Sequence, residues 1–404
     1  MMWPTYRLGD LLSVKHGWAF KGEHFADEGE YVLLTPGNFH ENGGLRLREE
    51  KLKYYAADFP PEYLLQKGDL LVAMTDLKQS APILGASARV PEDGRFLHNQ
   101  RLGLIRVEDY SRLDIRYAYH IFNCPAIRAQ IRATATGATV RHTAPERIYA
   151  CSIRLPDLTT QARIAETLDG YDGLIANNLR RMSLLEEANR VIYREWFVSL
   201  NFPGRERVKI TDGVPTGWMR STLGRLVELR RDMVDPSAVD ASTPYVGLEH
   251  IPRRFMVLDA WSSVEDVTSS KLKFSHRDIL FGKIRPYLHK AASVPISGVC
   301  SSDAIVMRPV KSSLFSIVLG LVASDEFVEM THQTSTEGSK MPRAHWPSMA
   351  AHPVLIPPNL LCDEFNDLVS AHVALIENLI FQNRLLIEAR DLLLPRLMNG
   401  SISP

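Results

Sequence analysis

The sequence is poor in the features that mark a secreted, membrane-borne or cofactor-binding protein. Its 404 residues hold only four cysteines, Cys124, Cys151, Cys300 and Cys362. They are far apart and form no CxxC pair, which argues against a disulfide framework or a thiolate zinc site and for a reducing cytoplasm. The longest apolar run, LFSIVLGLVA at 314–323, is broken by Ser316 and Gly320. It is about half of the ~20 residues that span a bilayer, so a soluble chain is expected. The opening MMWPTYRLGD has no basic segment followed by an apolar core, so no export signal is expected. Phosphate cradles are also missing: no GxGxxG follows a strand, no GxxxxGK[ST] occurs, and Gly338-Ser339-Lys340 lacks the upstream glycine. The Asp/Asn-Pro-Pro-aromatic tetrapeptide of amino-methyltransferases is absent too. We therefore expect no catalytic residues, no cofactor and no metal in this chain.

An excess of charge of either sign is lacking as well, with 47 basic against 47 acidic residues. The balance hides a distribution. Residues 1–157 carry 20 basic and 19 acidic side chains, and 205–357 carry 19 and 16; residues 161–200 carry 5 and 6, and 363–400 carry 3 and 6. Any anion-binding surface is thus expected in the two large blocks. The composition, 45% apolar and 23% charged, is ordinarily globular, and the length suggests two or three domains.

What the chain does contain is an internal repeat. TATGATV from Thr134 matches STEGSKM from Ser335, and ACSIRLP (150–156) matches AHPVLIP (351–357), at one offset of 201. The same offset relates Ile164 to Phe365, Ile175 to Ile376, Asn177 to Asn378 and Glu187-Ala188 to Glu388-Ala389. Upstream the match loosens: LGDL (8–11) answers LGRL (223–226), and KGDLLVA (67–73) answers HRDILFG (276–282). A well-matched tail and a variable head suggest one scaffold that displays two recognition surfaces.

The tails read as long helices. A 4,3 apolar alternation gives a seam of Ile164, Leu168, Ile175, Asn178, Met182, Leu185 and Ile192 in the first, and of Phe365, Val369, Ile376, Leu379, Asn383, Leu386 and Leu393 in the second. Pro156 with Thr159-Thr160, and Pro357-Pro358 with Asn359, mark the helix starts. Two helices in one register predict an antiparallel pair in which the polar seam residues set register at a cost in stability. About 35 residues at ~1.5 Å each make a rod of ~50 Å, the scale of two DNA half-sites about one turn (~34 Å) apart. The expected fold class is α+β: two similar α/β target-recognition domains separated by two long helices that form an antiparallel coiled coil, with a pseudo-two-fold internal repeat. The expected boundaries are 1–155 and 203–356 for the heads, and 156–202 and 357–404 for the helices. Within the heads, strands are expected at YVLLT (31–35), DLLVAM (69–74), LGLIRV (102–107), DILFGKI (278–284) and AIVMRPV (304–310), and helices at 115–134 and 315–331.

The chemistry left over suits DNA. Residues 112–154 hold seven arginines against two acids, and KLKFSHRDILFGKIRPYLHK (271–290) interleaves bases with aromatics. Arg pairs bidentately with guanine and Lys holds phosphate; a solvated face would look the same in one segment, and recurrence in both heads favours DNA. The candidate contacts are Lys15, His16, Lys21, Arg128, Arg132, Arg141 and His142 in the first head. In the second they are Arg253, Arg254, Lys271, Lys273, Lys283, Arg285, Lys290, Lys340 and Arg343. Asp69 with Asp76 and Lys78 resembles a metal-dependent nuclease set, but in the second copy only Asp278 persists. His345 and His352 lack a partner at metal-ligand spacing.

The duplicated layout, LPDLTTQARI and IPPNLLCDEF at the helix starts, ANRVIYREWFVSLNFPG, GDLLVAMTD with DILFGKIRPYLHKA, and the ending LLLPRLMNGSI together resemble the DNA-specificity subunit of type I restriction-modification enzymes. Cys362 stands where the first copy has Gln161. The resemblance covers almost the whole chain. It implies a non-catalytic subunit that reads double-stranded DNA, one target-recognition domain per half of a bipartite target, with the helices as a ruler. It also implies docking of two adenine-methyltransferase subunits and, through them, of restriction (motor-nuclease) subunits. S-adenosylmethionine, ATP and Mg then belong to those partners. Two other readings stay open here: a stand-alone DNA-acting enzyme such as a fused nuclease, and a bilobed protein-binding adaptor.

Overall fold

The computed structural model describes residues 3–47, 52–265, 267–335 and 341–404. Two compact units make up the chain, residues 1–175 with 385–404, and residues 176–384. In the first, strands Leu12–His16, Leu102–Val107, Leu70–Ala73 and Ser87–Arg89 form an antiparallel sheet in that order. A second sheet runs Phe25–Ala26, Tyr54–Tyr55, Tyr31–Leu34 and Phe96–His98, its last pair parallel. Strand Leu70–Ala73 is buried throughout because both faces of its sheet are covered. Successive side chains point to opposite faces, so Leu70 and Val72 enter one core with the helices while Leu71 and Ala73 enter another with Val32 and Leu34.

The second unit repeats the plan. Strands Val227–Arg230, Ala304–Pro309, Ile279–Gly282 and Ala291–Ser293 lie in the same order, and Ile279 pairs with Met307 as Leu70 pairs with Ile105 in the first unit. Ile279 and Phe281 join the helical core and Leu280 the opposite one. No described helix is long and apolar enough to cross a membrane.

Each expected head helix is broken in two. Ile115–Asn123 is followed by Pro125–Ala133, and Phe315–Val322 by Asp325–Gln333. Proline disfavours helical geometry in the residue before it, and Cys124 is extended with ψ 130°. In the second unit Ser324 is extended and its hydroxyl accepts from the Phe327 N–H at 3.2 Å, a side-chain cap that starts a new helix. Gly320 permits the close packing of this region: a Cβ there would lie 2.3 Å from the Tyr193 ring.

The long helices span Leu158–Tyr193, continued by a π turn at Arg194–Val198, and Asn359–Met398. Asp157, rather than the two threonines after it, caps the central helix: its carboxylate accepts from the Thr160 N–H at 2.9 Å and hydroxyl at 3.0 Å. Buried Gln161 then ties the helix to its head, accepting from the Asp114 N–H at 3.0 Å and donating to Arg112 O at 2.7 Å. The C-terminal helix starts at Asn359, where Cys362 makes a thiol contact to Ser313 O at 3.4 Å, and its tie to the head comes a turn later: Asn366 Oδ1 accepts from the Ser316 hydroxyl at 3.0 Å and N–H at 3.3 Å.

In the first unit Ile164, Ala165 and Leu168 share a core with Leu394, Leu397 and Met398, and Arg390 Nη1 reaches Asp172 Oδ1 at 2.7 Å. In the second, Met182 shares a core with Phe365, Val369, Val373, Ile376, Leu379 and Ile380. There Asn178 Nδ2 donates to Asn383 Oδ1 at 2.9 Å and His372 Nδ1 lies 2.7 Å from Asn189 Oδ1, so the two helical segments run antiparallel within that unit. Of the expected seam, Ile175, Leu185, Ile192, Leu386 and Leu393 are only half-buried. Val373, Ile380 and Leu394, outside it, are buried. A strict two-per-heptad seam is too narrow because these segments also pack on a head, which needs a wider apolar stripe. Buried Glu186 shows this second role. It accepts from the Met256 N–H at 2.8 Å and the Val257 N–H at 3.2 Å, and burial pushes its carboxyl up to about 7.

Asn383→Leu should leave the buried Asn178 amide without its acceptor and cost about 1–3 kcal/mol, whereas Asn178→Leu with Asn383→Leu should restore or raise stability. Urea midpoints of the two variants check this; equal loss in both would mean that the pair itself, rather than the orphaned amide, carries the energy.

Candidate nucleic-acid interface

Two buried carboxylates set the frame of the heads. Asp69 accepts from Arg106 Nη1 at 2.7 Å and from the Gln66 N–H at 2.9 Å. At the equivalent place Asp278 accepts from Arg308 Nε at 2.7 Å and from the Ser275 N–H at 2.8 Å. Asp76 is likewise committed, to the N–H groups of Lys78 at 2.9 Å and Ile83 at 2.7 Å. These acids hold turns and an arginine, and Lys78 lies out at Glu41, 3.4 Å away; they are not a nuclease set. His345 bonds Ser348 Oγ at 3.0 Å, and half-buried His352 packs edge-on against Phe327, so both are structural.

His120, Asp169 and Asp172 come close enough to hold a cation, a grouping no sequence spacing announces. Two guanidiniums already serve it: Arg89 Nη1 lies 2.9 Å from Asp169 and Arg390 Nη1 2.7 Å from Asp172, with His120 Nε2 2.8 Å from Asp169. Burial alone would raise the Asp169 carboxyl, yet His120 and Arg89 hold it below the ordinary range. The cluster is an internal ion-pair network.

The expected DNA contacts divide by what their side chains already touch. In the first head Lys15, His16, Lys21 and His142 are exposed. Lys15 Nζ sits 4.7 Å above the Tyr63 ring, 3.8 Å from Glu62, and Trp18 stacks on Tyr63 at 6.4 Å. Gly17 is required beside them, since a Cβ would fall 2.2 Å from Asn99 O. Lys21 lies 3.9 Å from Glu23, and His142 Nδ1 3.0 Å from Thr75 Oγ1. Arg132 is half-buried. Arg141 is half-buried and donates to the carbonyls of Arg132, Ala135 and Gly137, each at 3.3 Å, which fastens its loop. Arg128 is a correction: it is 5% exposed and donates to the carbonyls of Leu84, Glu41 and Pro82, so it braces the fold and presents nothing to DNA.

In the second head Arg253, Arg254, Lys273, Arg285 and Arg343 are exposed. Arg254 pairs with Asp325 at 2.7 Å and Arg343 with Asp303 at 2.9 Å. Lys271 is a second correction, buried with its ammonium on Ser269. Half-buried Lys290 donates to Leu248 O and half-buried Lys283 to Ser302 O at 2.6 Å; burial lowers both ammonium pKa values. Lys340 lies outside the described residues. Backbone pairing of Ile284 with Arg343, and the Arg285 N–H to Pro342 O bond at 2.8 Å, gather Lys283, Arg285 and Arg343 around one loop. Arg285 holds φ at +52° there. The equivalent pairing in the first head joins Thr75 to His142 and Asp76 to Arg141, so one scaffold carries Lys283, Arg285 and Arg343 in one copy and Met74, Asp76 and His142 in the other. Arg231 escaped notice in the sequence although it stands in an Arg230-Arg231 doublet like Arg253-Arg254; it is exposed with no side-chain partner among the described residues.

Fold and site define an α+β protein whose buried acids serve its own backbone and whose exposed cations face outward. Residues 2–187 match the model of the type I restriction modification DNA specificity domain family. The chain is 20% identical over 304 residues to the type I restriction enzyme MjaIX specificity subunit of Methanocaldococcus jannaschii, covering 71% of this chain and 68% of that one. It is 21% identical over 255 residues to the EcoDI specificity subunit of Escherichia coli, covering 57% of this chain and 56% of that relative. The crystal structure of a type-I restriction-modification system S subunit from M. genitalium has the same fold, with a TM-score of 0.62 at 14% identity over 98% of this chain and 96% of that one. The chain is thus similar to type I restriction enzyme specificity subunits, and its match to the DNA specificity domain model runs through the first head and most of the central helix, to residue 187.

Arg128→Ala should lower stability by about 2–4 kcal/mol, since three carbonyls, one of them on buried Leu84, lose their donor. Arg285→Ala should leave stability within about 0.5 kcal/mol but weaken duplex binding and flatten its salt dependence. Thermal midpoints with DNA titrations at several salt concentrations separate the two; weaker DNA binding by Arg128→Ala at full stability would reverse the assignment.

Proposed function

We propose that this chain is the non-catalytic sequence-reading subunit of a type I restriction-modification complex, each head reading one half of a bipartite DNA target. The observation that carries this reading is the repeat itself. The same sheet order and the same pairing of a buried Asp with an Arg recur in both heads, while the exposed loops differ in charge. A conserved frame with divergent loops is what two different half-sites require. The long helices, at ~1.5 Å per residue, would act as the ruler between the heads and form the antiparallel coiled coil of a pseudo-two-fold layout, with boundaries near 155, 202 and 356.

Partner docking has support on the helices. The first unit exposes Leu174, Leu385 and Leu392, and the second exposes Leu375, Leu184 and Val191. The offset of 201 turns each member of one trio into a member of the other. Exposed apolar groups of this kind mark interaction surfaces, and a trio presented twice suits two copies of one partner. We assign these to adenine-methyltransferase subunits, through which restriction subunits attach. S-adenosylmethionine, ATP and Mg would belong to those partners, and the complex would work in the cytoplasm. The nuclease reading loses its support because Asp69 and Asp76 are engaged internally. The bilobed-adaptor reading would require that the chain with its methyltransferase partner fail to retard duplex DNA.

Methylome sequencing of the host, with the gene present and deleted, tests the proposal. A split adenine-methylated motif should be found in the first and vanish in the second; persistence of every such motif after deletion would contradict it.

A further inference from the structure

The second head contains a cleft of about 420 Å³. Its apolar floor includes Leu229, Leu272 and Ile305, and Trp346, Arg231 and Lys283 also line it. No acidic side chain lines it. Arg230 also borders it, but its charge is largely answered by Asp232 at 2.6 Å and Glu228 at 3.5 Å. Arg231 has no side-chain partner among the described residues. Lys283 donates one N–H to Ser302 O, leaving two of the three that an ammonium carries.

The strand register identifies what occupies this place in the first head. Leu229 pairs with Met307 as Val14 pairs with Ile105, so two positions further on Arg231 answers His16. Gly282 pairs with Ala304 as Ala73 pairs with Leu102, so Lys283 answers Met74 and Ile305 answers Gly103. At the offset of 201, Trp346 answers Pro145. Met74 is 2% exposed, and its sulfur lies 3.1 Å from where a Cβ on Gly103 would stand. The thioether is thus packed in the first head's core, where the second head has a lysine lining the cleft. Of the four lining changes in the second head, glycine to isoleucine adds to the apolar floor, and methionine to lysine, histidine to arginine and proline to tryptophan bring in Lys283, Arg231 and an indole.

We propose that this cleft binds a nucleotide unit, with the base against Trp346 over the apolar floor and the phosphate between Arg231 and Lys283. An aromatic side chain takes a planar ring by stacking, and two cations with N–H groups to spare take an anion. The volume lies at the small end of ligand pockets, ~300–1,000 Å³. One chemistry can arrive from two sources, a nucleotide of the bound DNA or a free mononucleotide. Only the first source rests on the DNA-reading function proposed above.

The test uses the full chain and two probes. Calorimetric titration with dAMP reads the free source. Photocross-linking of a random-sequence duplex pool carrying 5-iododeoxyuridine, mapped by peptide mass spectrometry, reads the DNA source. At least one probe should score: dAMP binding, or a cross-link on Trp346. Lys283→Met, which installs the residue the first head buries here, should cut that signal at least tenfold, and exposed Arg231→Ala should do so without touching the floor. Silence from both probes, or full signal in both variants, would overturn the cleft assignment. Retardation of the same duplex pool keeps the two readings apart. Duplex shifted with both probes silent removes the cleft and leaves DNA reading standing; dAMP bound with no duplex shifted does the reverse.

Discussion

Burial of Leu394, Leu397 and Met398 beneath the first head is the constraint on which the rest of the structure depends. These residues lie more than 200 positions beyond Ile164, yet they complete a core begun by Leu8 and Leu11 and continued by Ile164 and Leu168. The second head is completed in the same way, by Met182 and Tyr193 of the central helix together with Phe365 to Ile380 of the C-terminal one. Neither head closes its core with the helix that follows it in sequence alone. Each compact unit is built from one head and a segment of both helices, and the helices must therefore be long, continuous and antiparallel within each unit.

Polar groups make that arrangement specific. An apolar stripe alone would tolerate slippage, but the Asn178–Asn383 bond, the Asn189–His372 contact and the Arg390–Asp172 pair each match one position of a helix to one of its neighbour. Glu186 adds a tie between helix and head through two backbone N–H groups. The cost is visible in the buried amide nitrogens of Asn189 and Asn383, which find no acceptor among the described residues. Unpaired buried donors cost free energy, and retaining them is consistent with a role in register.

Features set by periodicity were legible in the sequence. Strand Leu102–Val107 is where its composition placed it, and both long helices start within a few residues of their proline cues. Features set by tertiary neighbours were not. Arg128 looks like its neighbours Arg132 and Arg141, and only the carbonyls of Leu84, Glu41 and Pro82 folded around it make it structural. His120, Asp169 and Arg390 are scattered along the chain before folding gathers them. The 115–134 segment keeps helical composition on both sides of its break, and the single proline that interrupts it was outweighed by the pattern around it. The cleft at Trp346 follows from strand register, which sets Lys283 where the first head has Met74, and no residue spacing marks it.

The central claim is that the two heads read and the helices space. Inserting four residues after Ala176 adds ~1.1 turns, which nearly preserves the apolar stripe, and lengthens the helix by ~6 Å, close to two base-pair steps of ~3.4 Å. The methylated motif in cells carrying this insertion is the most direct measurement. The account predicts unchanged half-site bases around a longer nonspecific spacer; altered half-site bases around an unchanged spacer would contradict it.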